Sequence, residues 1–198
     1  MPNLLQRHLD RVPMTAQDLS GFTMTGGMYL EYLRRVLESA EKNYNRIEYL
    51  CRLIRRAHAV HIFGFGRSGA AALAFAIRLR HFSNYLPPVW WVGDQVRQPI
   101  RDGDVVILFS GSGTRPEVET IALKARMVSA TLVLITSSKK TMIESGSNCV
   151  ICLPTMNNGN VYGGGDFELG AFFLQEVLVN HLGRKLKIPR QEVELNHV

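Results

Sequence analysis

The spacing of hydrophobic residues changes once along this chain, shortly after Ala57. Between Tyr29 and Ala57 apolar residues recur every three or four positions, which predicts helix, with a break near Asn43–Asn45. Beyond that point short apolar runs, rich in β-branched residues, alternate with helical segments. These runs predict strands at Val60–Phe63, Val89–Val92, Val105–Phe109, Leu132–Ile135 and Val150–Leu153.

Helical patterns lie between most of these strands, at Ser68–His81, Pro116–Met127, about Lys139–Ser145 and, last, about Phe167–His181. Strands that alternate with helices predict parallel pairing, and strands that are almost wholly apolar are expected when helices cover both faces of a sheet. We therefore predict an α/β fold with a five-stranded parallel sheet flanked by helices on both faces, preceded by a helical segment. Residues 1–28, which contain prolines and glycines, are predicted to form an irregular N-terminal arm, and residues 29–198 a single domain.

Composition excludes several classes of protein. Charged residues interrupt the N-terminus and no apolar run approaches the ~20 residues of a membrane span, so we expect a soluble, cytoplasmic protein. The three cysteines do not form a disulfide framework, and Cys149 and Cys152 lie in an apolar strand pattern. We interpret both as small buried hydrophobic residues and predict no metal site.

A net charge of +6 suits an anionic partner without choosing one, since nucleic acids and phosphorylated metabolites are both anionic. Much of the excess comes from arginines between Arg34 and Arg56, on a predicted helix face that is solvated or contacts another subunit. The sequence has no nucleic-acid-binding motif with interleaved aromatic residues. We therefore expect a small phosphorylated ligand, and neither nucleic acid nor a membrane, as the partner.

Ligands of parallel α/β sheets bind beyond the carboxyl ends of the strands. The first strand is followed by GFGRSG, from Gly64 to Gly69, just before a helix. Glycines let backbone N–H groups approach an anion, and the start of a helix adds a partial positive charge. This motif also fits a dinucleotide-binding fold, in which Asp94, after the second strand, would bind the ribose.

The end of the third strand separates the two interpretations. It runs directly into SGSGT, from Ser110 to Thr114, with Pro116 in the first turn of the next helix. Hydroxyls and backbone amides at a helix N-terminus suit a terminal phosphate group. The fourth strand ends in a similar way at Thr136–Ser138. A dinucleotide-binding fold has no reason to repeat such loops, so the pattern favours a phosphorylated ligand.

Taken together and in order, GFGRSG, IRLRH, WVGD, GDVVILFSGSG, LVLITSS and DFELG resemble the 6-phospho-3-hexuloisomerases of the sugar isomerase (SIS) family. The resemblance covers about Glu31 to the C-terminus. It implies an SIS fold and the interconversion of 3-hexulose 6-phosphate and fructose 6-phosphate through an enediol, with no metal and no cofactor. It also implies a homo-oligomer, commonly a tetramer, with active sites at subunit contacts.

The resemblance also implies roles for particular residues. Glu168, which opens the last helix after Gly163–Gly165, matches the glutamate that carries the proton between the two carbons. His197 matches a histidine suited to opening the sugar ring or protonating an oxygen. The implied substrate and phosphate contacts are Gly66, Arg67, Ser68, Ser110, Gly111, Ser112, Thr114 and Arg115. Without the resemblance, the pattern favours a first-turn glutamate stabilised by the helix dipole at Glu168, and Arg67 is equally a partner in a subunit salt bridge.

The chain departs from the family pattern after SGSG. Related loops continue with Glu and then Thr, whereas this chain has Thr114 and Arg115 at those places. Arg115 either pairs with phosphate through two hydrogen bonds or turns outward. Two other functions therefore stay open: a phosphosugar-binding regulatory protein without turnover, and an SIS isomerase that acts on another sugar phosphate.

Overall fold

The computed structural model describes residues 15–156 and 165–196. Two helices come first, α1 (Ala16–Lys42) and α2 (Tyr44–Arg56). The remaining elements are, in chain order, β1 (Val60–Gly64), α3 (Gly66–Arg80), β2 (Val89–Trp91), β3 (Val105–Phe109), α4 (Pro116–Met127), β4 (Thr131–Thr136), α5 (Met142–Ser145), β5 (Cys149–Cys152), α6 (Asp166–Leu186) and α7 (Arg190–Leu195).

The five strands form one parallel sheet in the order β2-β1-β3-β4-β5, which confirms the predicted fold class. After β1 the chain adds β2 on one side and then β3 on the other, so the strand order reverses at β1. The register pairs Gly64, the last residue of β1, with Phe109, the last residue of β3. The two glycine-rich loops therefore leave the sheet side by side, at the point where ligands of such folds bind.

Helices bury both faces of the sheet, as the apolar strands predict. Along β3 the side chains alternate: Val105, Ile107 and Phe109 join a large cluster with residues of α1, α2, α3 and α6. Val106 and Leu108 point the other way, into a smaller cluster under α4 and α5. The larger cluster fixes the starts of α3 and α6 against the carboxyl ends of β1 and β3.

The predicted irregular arm is wrong for residues 16–28, which are helical. α1 begins at Ala16 rather than near Tyr29, while residues 1–14 lie outside the described range. Thr15 and Asp18 form a capping box, in which the Thr15 Oγ1 accepts from the Asp18 N–H at 3.1 Å and the Asp18 carboxylate accepts from the Thr15 N–H at 3.1 Å. Three glycines in this segment each disfavour helix by about 1 kcal/mol. The helix forms nonetheless because the capping box stabilises its first turn and because the same helix packs against the core further along.

The cysteines behave as the sequence predicts. Cys51 and Cys149 are buried and Cys152 is half-buried, all as free thiols. Burial raises the pKa of each thiol, that of Cys51 to about 11, so none is an activated nucleophile. In the described part of the chain, no three His, Cys, Asp or Glu residues are grouped so that they could hold a metal ion. No helix within residues 15–156 or 165–196 has the length and apolar character needed to cross a membrane.

A buried histidine–aspartate pair joins β1 to the start of β3. His61 is 0% exposed, and its Nε2 lies 3.1 Å from Asp104 Oδ2. The same carboxylate oxygen accepts from the Arg101 N–H at 2.8 Å. Burial lowers the pKa of His61, and the hydrogen bond to Asp104 opposes this only in part.

This pair predicts a loss of stability in mild acid. The unfolded chain binds a proton at His61 below about pH 6.5, whereas the folded chain binds it only at lower pH, so the free energy of unfolding is expected to fall as the pH drops below about 7. The slope contributed by this group is at most about 1.4 kcal/mol per pH unit. Urea unfolding at several pH values measures it, with His61→Gln as the comparison because an amide donates to Asp104 without titrating. An equal acid loss in both proteins would contradict the prediction.

Candidate functional site

A cleft of about 330 Å³ opens at the carboxyl edge of the sheet, between the ends of β1 and β3 and the start of α6. Most of the predicted contacts line it: Gly66, Arg67, Ser68, Ser110, Gly111, Ser112, Arg115 and Glu168. These residues come from three separate stretches of sequence. The topology brings them together because parallel strands end at the same edge.

The first wall of the cleft is the turn from β1 into α3. Gly66 has φ +59°, in the left-handed region that favours glycine, and this conformation turns the chain sharply into the helix. Phe65, half of whose surface is exposed, covers the outer side of the cleft. The turn places Arg67 and Ser68 in the first turn of α3, where the helix dipole favours a negative ligand.

The second wall is the loop from β3 into α4. Ser110 is buried, and its Oγ accepts from the Gly113 N–H at 3.1 Å, which closes the loop on itself. Thr114 is exposed and donates from its N–H and its hydroxyl to Ser112 Oγ at 3.4 and 3.3 Å. Arg115 follows as the cap residue of α4 and lines the cleft, whereas Thr114 does not.

Hydroxyls at the end of β4 converge on the same loop. Thr136, Ser137 and Ser138 donate from their hydroxyls to the Gly111 carbonyl at 3.2, 2.9 and 3.0 Å, and the Ser137 N–H points to it at 3.2 Å. A carbonyl oxygen has two lone pairs, so this one cannot satisfy four donors. Ser137 also lines the cleft. At least one hydroxyl here is therefore able to turn to a ligand. The Thr-Ser-Ser pattern indicated such hydroxyls, but the sequence analysis did not name Ser137 as a contact.

Glu168 faces this wall from the first turn of α6. Its side chain is 17% exposed, and Ser68 Oγ donates to Oε1 at 2.8 Å. Oε2 lies 3.7 Å from Arg67 Nη2 and, within the described residues, accepts no hydrogen bond. The start of α6 adds the partial positive charge of the helix dipole at this place. Glu168 thus presents a carboxylate with spare accepting capacity to the cleft.

Asp166 is a second carboxylate that the sequence interpretation missed. It lines the cleft one turn before Gly170, and its Oδ2 accepts from the Met156 N–H at 2.9 Å. This bond ties the residues after β5 to the start of α6. Phe167, which also lines the cleft, packs its ring on Gly111, so α6 contacts the loop from β3 into α4 directly.

His197 lies outside the described residues, as do Gly163 and Gly164. Its neighbour Asn196 donates from Nδ2 to the His81 carbonyl at 3.1 Å, just past the far end of α3. Ser68 and His81 are separated by 13 residues of sequence, which corresponds to ~20 Å along a helix. The residue before His197 is therefore held at the end of the fold opposite the cleft.

A model of the SIS domain family matches residues 53–164. The chain belongs to the SIS family. The match includes both glycine-rich loops and the β4 hydroxyls, which are the walls of the cleft. Asp94, the residue that a dinucleotide-binding fold would use, instead lies with its Oδ2 3.3 Å from Arg80 Nη2 in a surface ion pair.

Relatives of this SIS protein occur in several archaea and bacteria. An uncharacterised protein from Methanothermobacter thermautotrophicus is 35% identical over 123 residues, which are 62% of this chain and 61% of that protein. A protein named 3-hexulose-6-phosphate isomerase from Methanocaldococcus jannaschii is 28% identical over 155 residues, 77% of this chain and 83% of that one. A solved structure from Methanococcus jannaschii superposes with a TM-score of 0.77 at 24% identity, covering 85% of this chain and 97% of that one. The last comparison supports the fold.

Proposed function

We propose that this SIS domain isomerises a ketohexose 6-phosphate, converting 3-hexulose 6-phosphate to fructose 6-phosphate through an enediol. The observation that carries the proposal is the contact between Ser68 and Glu168, at 2.8 Å, beside the loops suited to a phosphate group. This contact places a candidate base beside a cleft that is suited to an anion. Relatives that carry the name 3-hexulose-6-phosphate isomerase, at 25–31% identity, support this choice of substrate.

The loop after β3 is suited to the phosphate end of the sugar. Gly111 and Ser112 line the cleft and the N-terminus of α4 borders it, so backbone amides and the Ser112 hydroxyl there are available to an anion. Arg115 adds a guanidinium at the place where related loops have threonine, and it lines the cleft rather than turning away from it. We propose that Arg115 replaces that threonine in holding the phosphate group.

Glu168 is suited to the reacting carbons. In the proposed reaction the Glu168 carboxylate removes the proton on C2 of 3-hexulose 6-phosphate, and the electrons of that bond form the enediol between C2 and C3. The Glu168 carboxyl, whose proton exchanges with solvent, then delivers a proton to C3, which leaves the carbonyl at C2. Ser68 orients the carboxylate through its hydrogen bond, and Arg67 lies beside it. Oxidation of one carbon balances reduction of its neighbour.

A second group must move the proton between the two oxygens, and we propose His197 for this role in a homotetramer. Asn196 of the same chain is held ~20 Å from Ser68 along α3. On this proposal His197 therefore enters the cleft of a neighbouring subunit.

The test is to incubate the purified protein with enzymatically generated 3-hexulose 6-phosphate and to follow fructose 6-phosphate with a coupled dehydrogenase. Rapid product formation is expected, together with a flat titration by NAD or NADP in calorimetry. Absence of product while fructose 6-phosphate still raises Tm would identify a phosphosugar-binding protein instead. Turnover of another sugar phosphate alone, in a panel of these compounds, would identify a different SIS isomerase.

A further inference from the structure

Tyr32 is a buried tyrosine on α1 that no sequence motif singles out. It is 1% exposed, and its hydroxyl has no hydrogen-bond partner within the described residues. Buried tyrosine hydroxyls usually have a partner, and leaving one without a partner costs stability. A phenylalanine would fill the same space without that cost, so packing alone does not account for a hydroxyl here.

The hydroxyl lies against the beginning of α6. A methyl group on Gly170 would overlap Tyr32 Oη, so the absence of a side chain there is what lets the hydroxyl reach the helix. Gly170 is one turn after Asp166 and two residues after Glu168. Tyr32 is therefore packed beneath the turn that carries both carboxylates of the cleft.

The charges around Tyr32 belong mainly to that turn. Burial raises the pKa of the Tyr32 hydroxyl, the negative charges of Asp166 and Glu168 raise it further, and Arg35 on α1 opposes them. The hydroxyl consequently stays protonated and is a hydrogen-bond donor at every physiological pH. Arg67 on α3 is a further cation close to Glu168, with its Nη2 3.7 Å from Glu168 Oε2.

Tyr32 and Glu168 each lack the hydrogen-bond partner that the other can supply. The phenol has a proton to donate and no acceptor, while Glu168 Oε2 is buried and accepts no hydrogen bond in the described structure. Arg35, one turn along α1, donates to the Thr155 carbonyl at 2.6 Å, so this side of α1 is already attached to the residues that lead toward α6.

We propose that Tyr32 is a positioning residue for Glu168: its hydroxyl donates, directly or through one water molecule, to the carboxylates at the start of α6. This hydrogen bond holds the Glu168 side chain directed into the cleft. The inference rests on the proposed function, in which Glu168 is the base.

Tyr32→Phe keeps the ring and removes only the hydroxyl. We expect kcat for 3-hexulose 6-phosphate to fall about 10-fold with KM unchanged, and the acid limb of the pH profile to move up by about one pH unit, since losing a hydrogen bond to the ionised form raises the pKa of a carboxyl. Tm should stay the same or rise, because phenylalanine buries no unpartnered hydroxyl. Unchanged kcat and an unchanged acid limb would overturn the proposal.

A second measurement does not depend on turnover. Carbon-13 NMR of the glutamate carboxyls, with the Glu168 signal identified by its loss in Glu168→Gln, gives the pKa of Glu168 in both proteins. A rise of about one unit in Tyr32→Phe is expected even if the wild type does not convert 3-hexulose 6-phosphate. That result would separate failure of the proposed function from failure of this inference. Active wild type with no movement of the Glu168 signal would overturn the inference alone.

Two further variants control the experiment. Tyr44→Phe removes a tyrosine hydroxyl that donates to Glu48 at 2.8 Å on the exposed side of α2, and it should leave the Glu168 pKa unchanged. Gly170→Ala should lower Tm, and Tyr32→Phe should restore part of that loss because it removes the hydroxyl that the new methyl group would overlap. An alanine tolerated equally in both backgrounds would contradict the placement of the hydroxyl.

Discussion

Glu168→Gln is expected to lower kcat for the formation of fructose 6-phosphate by about 10²- to 10⁴-fold, the usual contribution of a positioned general base. Glutamine keeps the length of the side chain and an oxygen that accepts from Ser68, but it cannot take a proton from carbon. Binding of fructose 6-phosphate, measured by calorimetry, should change little. Loss of kcat without loss of affinity is the pattern of a group that acts mainly in the transition state.

Glu176→Gln is the matched control for this prediction. Glu176 lies on the same helix and pairs with Arg78 at 2.9 Å, away from the cleft. The same chemical change there should leave kcat close to that of the wild type. Comparable activity in Glu168→Gln and Glu176→Gln would mean that Glu168 only caps the helix dipole.

Arg115→Ala is expected to weaken binding of fructose 6-phosphate by about 10- to 100-fold, because hydrogen bonds to charged groups contribute roughly 1.5–3 kcal/mol. The effect should appear in KM and in the calorimetric Kd, with kcat little changed, since the phosphate group does not react. Arg115 is exposed, so the difference from the wild type should shrink as salt is added.

Thr114→Val is the comparison for Arg115. Thr114 lies outside the cleft lining and bonds to Ser112, so its loss should affect Kd far less than loss of the guanidinium. If Thr114→Val weakens binding and Arg115→Ala does not, the threonine has kept its phosphate-binding role one residue earlier than in related loops. The loop would then adopt another arrangement with ligand bound.

Most of the fold was predictable because its strands are buried on both sides. The five apolar runs locate the strands within one residue at each end, for example Leu132–Ile135 against the observed Thr131–Thr136. Parallel order follows from the alternation with helices. Helix ends were less predictable: α6 continues to Leu186 rather than about His181, and the short α7 was not predicted.

At the start of α1, capping hydrogen bonds outweigh the low helix preference of the glycines that follow. Glycines at 21, 26 and 27 favour an irregular arm, yet a capping box at Thr15 and Asp18 begins a continuous helix before them. That cap consists of a few hydrogen bonds between residues three apart. The capping residues are visible in the sequence, but the prediction rested on the prolines and glycines alone.

The candidate site was predictable where it depends on strand ends and not where it depends on tertiary packing. Gly66, Ser110 and their neighbours follow strands, so their meeting in one cleft follows from the parallel sheet. The contact between Ser68 and Glu168 joins residues 100 positions apart, and the family resemblance singled out each residue without predicting that they touch. Tyr32 lies against Gly170 and within electrostatic reach of Asp166 because α1 packs on α6, and no local sequence pattern records this packing.

The central claim is that Glu168 moves a proton between C2 and C3 of a ketohexose 6-phosphate. The most direct test is proton NMR of fructose 6-phosphate incubated with the protein in deuterium oxide. We predict that deuterium replaces hydrogen at C3, because a 2,3-enediol forms and is reprotonated, and that Glu168→Gln shows no exchange. Exchange at C1 alone, or bound fructose 6-phosphate with no exchange at any carbon, would contradict the account.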